Sequence, residues 1–331
     1  MLSSAPRLIQ RRLVTAALVS LSVCAFQVSA QTWPNQPVRI VNNFPAGGPS
    51  DILARALAEG LQKSSGQNVI VENKPGAGGN IGAAEVARAA GDGGTVFCGI
   101  DTAFTVNPHI FPSMPFKLGN KAGDLKPLMI VSSNGLMLGT SAAKSIRSMG
   151  ELIAIGRSRG LNFSSGGAGS PGHLGISIFT QAANVKITHV PYRGNSPAVL
   201  AMVAGEVDGG ILSSSGLLPQ VKAGKVVPIA VTSRARSKLA PDVPTVGELG
   251  YKDLENEVLT LCMVPGDTPE LLLAAMQKAT QAVFAQAALQ ERIASMDMVY
   301  EGLTDAQASK RLTDLSARYA KIVKATQMKV E

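Results

Sequence analysis

Aromatic side chains make up only 4% of this chain of 331 residues, and no run of five or more Lys or Arg occurs. Without stacking platforms or a basic stripe, nucleic-acid binding is excluded as a main activity. Histidine appears three times, as His109, His173 and His189, each alone in the sequence and without metal-ligand spacing. No G-x-S-x-G nucleophile elbow is present; the nearest stretch, GNSPA around Ser196, has Ala198 where the last glycine belongs. GAGGNIG (Gly76 to Gly82) lacks the Lys-Ser/Thr ending of a phosphate-binding P-loop. After residue 30 nothing approaches ~20 consecutive apolar residues, so no membrane span is expected. Machinery for catalysis is not visible, and no cofactor or metal is expected.

Residues 1–30 carry Arg7, Arg11 and Arg12, then an apolar run from Leu13 to Val28, then Val28-Ser29-Ala30 ahead of Gln31, with no acidic residue. This is the pattern of a secretory signal peptide cleaved after Ala30, so the mature protein is expected to be exported. Arg11 and Arg12 resemble a twin-arginine signal, and the stretch ending at Cys24 resembles a lipoprotein site with Val23 where a small residue is usual. The export route stays open between the general and twin-arginine systems. The leader holds three of the 31 Lys and Arg, leaving 28 against 23 acidic residues and a net charge of +5. Such a mild positive field suits anionic small molecules. Cys98 and Cys262 each lie in an apolar, strand-like run, so two buried free thiols are expected over a disulfide framework, although export permits one bridge.

The remaining ~300 residues are enough for two domains with real cores. PVRIVNNFPAGGPSDILARALAEGL (Pro37 to Leu61) runs from an apolar strand through a Gly-rich turn directly into an amphipathic helix, whose Leu53, Ala56, Leu57 and Leu61 recur at helical spacing. The free N–H groups and partial positive charge at such a helix start suit a carboxylate or phosphate. Strand–loop–helix units then repeat: Asn68 to Asn73 feeds a Gly-rich loop and helix over 74–90, and Thr95 to Ile100 is a third strand. Leu125 to Thr140 reads as a pair of short strands around Asn134-Gly135. Alternation continues through Ser233, and the tail from Pro269 to Val330 reads as helical with one break near Glu301 to Thr304. The pattern predicts α/β architecture with parallel sheets covered on both faces, and a central module near 131–251 set between an N-terminal module and a helical tail.

In such sheets ligands sit beyond the carboxyl ends of strands, where Gly-rich loops meet helix starts, here 44–51, 74–82 and 164–173. Ser164 to His173 contains a formal G-x-G-x-x-G at Gly167, Gly169 and Gly172. The next acidic residue is Glu206, so the ribose ligand of a dinucleotide site is missing, and a loop holding a carboxylate fits better. Tyr192, Arg193 and Gly194 fall between a strand and a helix, offering a hydroxyl and a cation at the same edge.

FPAGGPSD, VENKPGAGGNIGAAEVARAAGDGGT, HVPYRGNSPA, KAGKVVPIAVTS and PDVPTVGELG together resemble the Bug (TctC-like) receptors, the extracytoplasmic solute-binding proteins of tripartite tricarboxylate transporters. The resemblance spans nearly the whole mature chain. It implies a two-lobed periplasmic-binding-protein (Venus-flytrap) fold, each lobe a mixed, mostly parallel sheet flanked by helices. Lobe 1 would comprise 31–130 plus 252–331, and lobe 2 residues 131–251. It implies a monomer that closes on a small organic acid and serves the membrane subunits of a transporter. Phe44, Ala46, Gly47, Gly48 and Asp51 would hold the ligand from one lobe; Ser165, Gly166, Gly167, Gly169, Ser170 and His173, with Tyr192, Arg193 and Gly194, from the other. Three departures bear on the ligand: Gly94 replaces a usual tyrosine, Leu212 stands where an acidic or polar residue is frequent, and Leu259-Thr260-Leu261 replaces a Trp-Phe-Gly strand. Loss of an acidic group argues against ligands bearing an ammonium. The competing expectations are a ligand-sensing partner of a membrane kinase and a cofactor-binding enzyme.

Overall fold

The computed structural model describes residues 32–329; the expected leader and its cleavage point lie outside the described residues. Val38, Ile40 and Val41 point apolar side chains to both faces of a strand, β1 (Val38–Asn42), as a strand buried on both sides requires. Helix α1 (Pro49–Ser65) follows, with Leu53, Leu57 and Leu61 buried and Gly66 closing its C-terminus in the left-handed conformation. β2 (Val69–Asn73) and β3 (Thr95–Ile100) flank β1, both parallel to it, with α2 (Asn80–Ala87) between them. A short helix, α3 (Thr102–Thr105), follows β3.

The next strand, β4 (Leu125–Ser141), is a single element of 17 residues. The expected reversal at Asn134-Gly135 does not occur. Both residues stay in the ladder, opposite Val258 and Glu257 of β9 (Glu257–Pro265). Gly135 is there for close approach, since a Cβ would lie 2.7 Å from the Ser233 backbone nitrogen. The first part of β4 pairs antiparallel with β9 and β10 (Val299–Leu303); the last part pairs antiparallel with β7 (Gly209–Ser213) and β8 (Val226–Val231). Beyond β7 come β5 (Leu161–Ser165) and β6 (Ile187–Pro191), each parallel to its neighbour. The sheet thus has two wings, with strand order β2-β1-β3-β9 on one side of β4 and β7-β5-β6 on the other. Alternating strands and helices produce the parallel outer strands, and the antiparallel pairs arise where β4 and β9 run through the middle.

Helices α4 (Met149–Ser158), α5 (Pro171–Ala182), α6 (Asn195–Ala204) and α7 (Ser214–Lys222) cover the second wing. The tail supplies α8 (Glu270–Phe284), α9 (Ala287–Ser295) and α10 (Asp305–Thr326), and its expected break is β10 itself. Helices α8 and α9 join α1 over one core, around Leu57, Leu61, Met276 and Phe284. Among the described residues no helix is long and apolar enough to cross a membrane.

Cys98 of β3 and Cys262 of β9 face each other in register and form a disulfide, correcting the expectation of free thiols. Their separation of 164 residues hides the pairing from any local pattern.

A candidate ligand cleft

The turn after β1 is built around Asp51. Its carboxylate accepts the Gly47 N–H at 2.9 Å, Arg55 Nε at 3.0 Å and Asn73 Nδ2 at 2.9 Å. Burial alone would raise this carboxyl, but these hydrogen bonds outweigh it and hold the pKa below the usual range. Gly47 takes a left-handed φ of +82°, which lets its N–H turn inward to Asp51. Gly48 then caps α1 and Pro49 opens it, leaving the first-turn N–H groups facing outward.

The second wing presents the same construction twice. Ser170 caps α5, its hydroxyl accepting the His173 N–H at 3.3 Å, with Pro171 next. Gly194 caps α6, and Asn195 at its start accepts the Ser213 N–H at 2.9 Å, tying α6 to the end of β7. The starts of α1, α5 and α6 border one cavity of about 840 Å³, counted to its open mouth. Its floor comes from four strands: Ile100 of β3, Leu136 of β4, Ile211 and Leu212 of β7, Val258 and Thr260 of β9. Arg193 is the one formally charged side chain in the lining; it is exposed and makes no ion pair among the described residues. Three helix N-termini and one cation make an anion-attracting hollow over an apolar floor.

A second hollow shares Phe44, Pro45, Gly166, Ser170, Arg193 and Gly194 with the first and extends to Gly76–Gly79, Gly167 and Tyr192. Here the loop after β2 meets the loop after β5: a Cβ on Gly78 would lie 3.2 Å from the Ala168 carbonyl oxygen.

Of the residues expected to touch a ligand, Phe44, Ala46, Gly48, Gly166, Ser170, Arg193 and Gly194 line the main cavity, and Gly167 and Tyr192 line the adjoining one. Asp51, Ser165, Gly169 and His173 lie behind these walls, and Gly47 is exposed outside both linings. Ser165 is fully buried, its hydroxyl 2.6 Å from His189 Nε2 and 3.2 Å from the Gly167 carbonyl. His173 stacks on His189 with ring centroids 4.0 Å apart, and its Nδ1 accepts the Gly169 N–H. Burial, reinforced by the neighbouring ring, lowers His173 to about 3; burial lowers His189 to about 4. Both are neutral near pH 7 and brace the loop from within.

Beneath the floor lies Asp101. One carboxylate oxygen accepts the Leu259 N–H at 2.9 Å, the other the Thr105 hydroxyl at 2.7 Å. Complete burial pushes its pKa up to about 7 despite those bonds. Nearby, the Tyr319 hydroxyl of α10 donates to the Glu257 carbonyl at 2.7 Å and accepts its N–H at 3.2 Å. Arg311 grips the Glu257 carboxylate with two nitrogens, at 2.9 and 2.6 Å.

A family model described as the tripartite tricarboxylate transporter family receptor matches residues 53–328. The chain belongs to this receptor family. Protein BugT of Bordetella pertussis is 30% identical over 321 residues, covering 96% of this chain and 98% of that one. The periplasmic binding protein BugD superposes with a TM-score of 0.82 at 27% identity, over 90% of this chain and all of BugD. MatC from Rhodopseudomonas palustris with bound malate gives a TM-score of 0.81 at 26% identity, over 88% of this chain and all of MatC. The fold of this receptor-family chain is therefore the two-lobed fold of periplasmic binding proteins.

Sequence reading missed Ser50, Asn195 and Ser213 at helix starts, and Ile100, Leu136, Ile211 and Val258 on the floor. The first group carries a local signal, since each sits at a strand-to-helix junction. The floor residues carry none, because they look like any apolar strand residue.

Proposed function

We propose that the protein is a periplasmic solute-binding receptor that captures a small organic carboxylate in this cleft and delivers it to a tripartite tricarboxylate-type membrane transporter. The observation that carries the reading is the convergence of three helix N-termini on one cavity lined by a single cation and no acidic side chain. Malate in the related MatC supports the ligand chemistry. The lobes divide as 31–130 with 252–331, and 131–251, and closing them expels water and strengthens the hydrogen bonds to the carboxylate. Export of the chain with cleavage after Ala30 belongs to the same reading. Ser165 and the two stacked histidines, the nearest approach to a nucleophile and base, stand behind the wall, so the cleft holds its ligand without transforming it.

The test is a thermal-shift screen of the purified protein against mono-, di- and aromatic carboxylates, with nucleotides as controls. An acid supplied at about 100 times its Kd should stabilise by about 2.7 kcal/mol. A melting temperature moved by NAD or ATP and by no acid would refute the proposal.

A further inference from the structure

Resting on that reading, we propose that the ligand is an acid with one carboxylate and an uncharged, largely apolar body. The anion-binding donors of the lining come from the three helix starts and Arg193, and apart from Asn134, Ser213 and Thr260 the strand residues that complete it are apolar. Ile100, Leu136, Ile211, Leu212 and Val258 form the floor, and Leu212 is only 2% exposed. A second carboxylate pressed against these side chains would lose its water and meet no cation, since Arg193 stands at an exposed position. An ammonium fares no better, because no acidic side chain lines the cavity.

Thr260 adds an independent observation. It lines the cavity while only 3% exposed, and its hydroxyl has no hydrogen-bond partner among the described residues. A hydroxyl open to a cavity is available to hydrogen-bond the occupant. Thr260 therefore offers one hydrogen bond to a polar group on the ligand body, but no charge to balance an ionic one.

The experiment is calorimetric titration of the purified protein with acids matched in shape: pentanoate against glutarate, and 4-methylpentanoate against leucine, with benzoate as a ring-bearing probe. Each monocarboxylate is expected to bind about 100-fold more tightly than its charged counterpart, the order set by desolvating an unpaired charge. Glutarate or leucine binding as tightly as its partner overturns this inference and leaves the carboxylate-receptor reading standing. Silence from every acid overturns both. Leu212→Asp should abolish the preference of 4-methylpentanoate over leucine, whereas neutral Leu212→Asn should retain it. A preference unchanged in Leu212→Asp removes this residue from the selecting wall and defeats the proposal. Thr260→Val should weaken an acid with a hydroxyl on its body about tenfold more than it weakens pentanoate; equal effects on both would assign Thr260 a packing role only.

Discussion

Gly48→Val is expected to weaken carboxylate binding by at least about 100-fold while the protein still folds. Gly48 caps α1 with an ordinary φ of −79°, so valine meets no backbone strain there. A Cβ at this position touches only the Pro45 carbonyl oxygen, at 3.6 Å, leaving the branched side chain room inside the cavity that Gly48 lines. The methyl groups would cover the first-turn N–H groups of α1, removing one of the three dipole ends from the anion. Loss of the glycine cap costs stability, on the order of 1 kcal/mol. Gly47→Ala makes the contrast: its Cβ meets nothing within 4 Å, but φ of +82° strains any L residue, roughly 1–2 kcal/mol. That variant should melt lower and bind normally. Titration and melting of the two variants separate the roles, and wild-type affinity in Gly48→Val would move the carboxylate away from α1.

Raising the pH from 4 to 8 is expected to destabilise the protein through Asp101 by several kcal/mol, and Asp101→Asn should remove that loss. In the folded chain this carboxyl keeps its proton up to about 7, against 3.8 for the ordinary side chain. Between those values folding takes up a proton, so the contribution is fully present below the unfolded pKa and disappears as pH rises through 7. A separation of about three units corresponds to roughly 4 kcal/mol. Asparagine keeps the Leu259 N–H as donor to its oxygen and reverses the Thr105 bond, its amide donating to the hydroxyl, which still reaches the Asp101 backbone carbonyl at 3.1 Å; it carries no charge at any pH. His173 and His189 act in the opposite sense: held low by burial, they add stability as pH rises from about 3 or 4 to 6.5. The decisive quantity is thus the difference between variant and wild type in denaturant midpoints from pH 4 to 8. Two curves that stay parallel would show that Asp101 ionises normally.

How much of this was legible in the sequence depended on whether the physics was local. The Gly-Gly-Pro-Ser-Asp turn announced β1 and α1, because a turn and its helix cap are written in adjacent residues. Ser170-Pro171 and Gly194-Asn195 were legible in the same way. Which side chains of those loops face the cavity was not. Asp51 and His173 look like ligand contacts by type, yet Asp51 is occupied by the turn it stabilises, and His173 by its stack on His189. Asn134-Gly135 carries a strong hairpin signal, overridden because β9 continues the ladder and the glycine makes room for Ser233. The floor depends on strand order, which brings Ile100, Leu136, Ile211 and Val258 together from four strands. Thr260 was noticed as a departure from the family pattern, while its unpartnered hydroxyl emerges only from the fold.

The Cys98–Cys262 bond makes the chain between these residues a covalent ring, and β4 to β8 with helices α4 to α7 all lie inside it. The segments outside the ring carry β1 and α1 at one end and α8 to α10 at the other. A protease that cuts a surface loop of the second wing once therefore opens the ring without producing two molecules. The nicked protein should migrate as one species until a reductant is added, and its jaws stay tethered through β3 and β9 even when the connection through the second wing is broken.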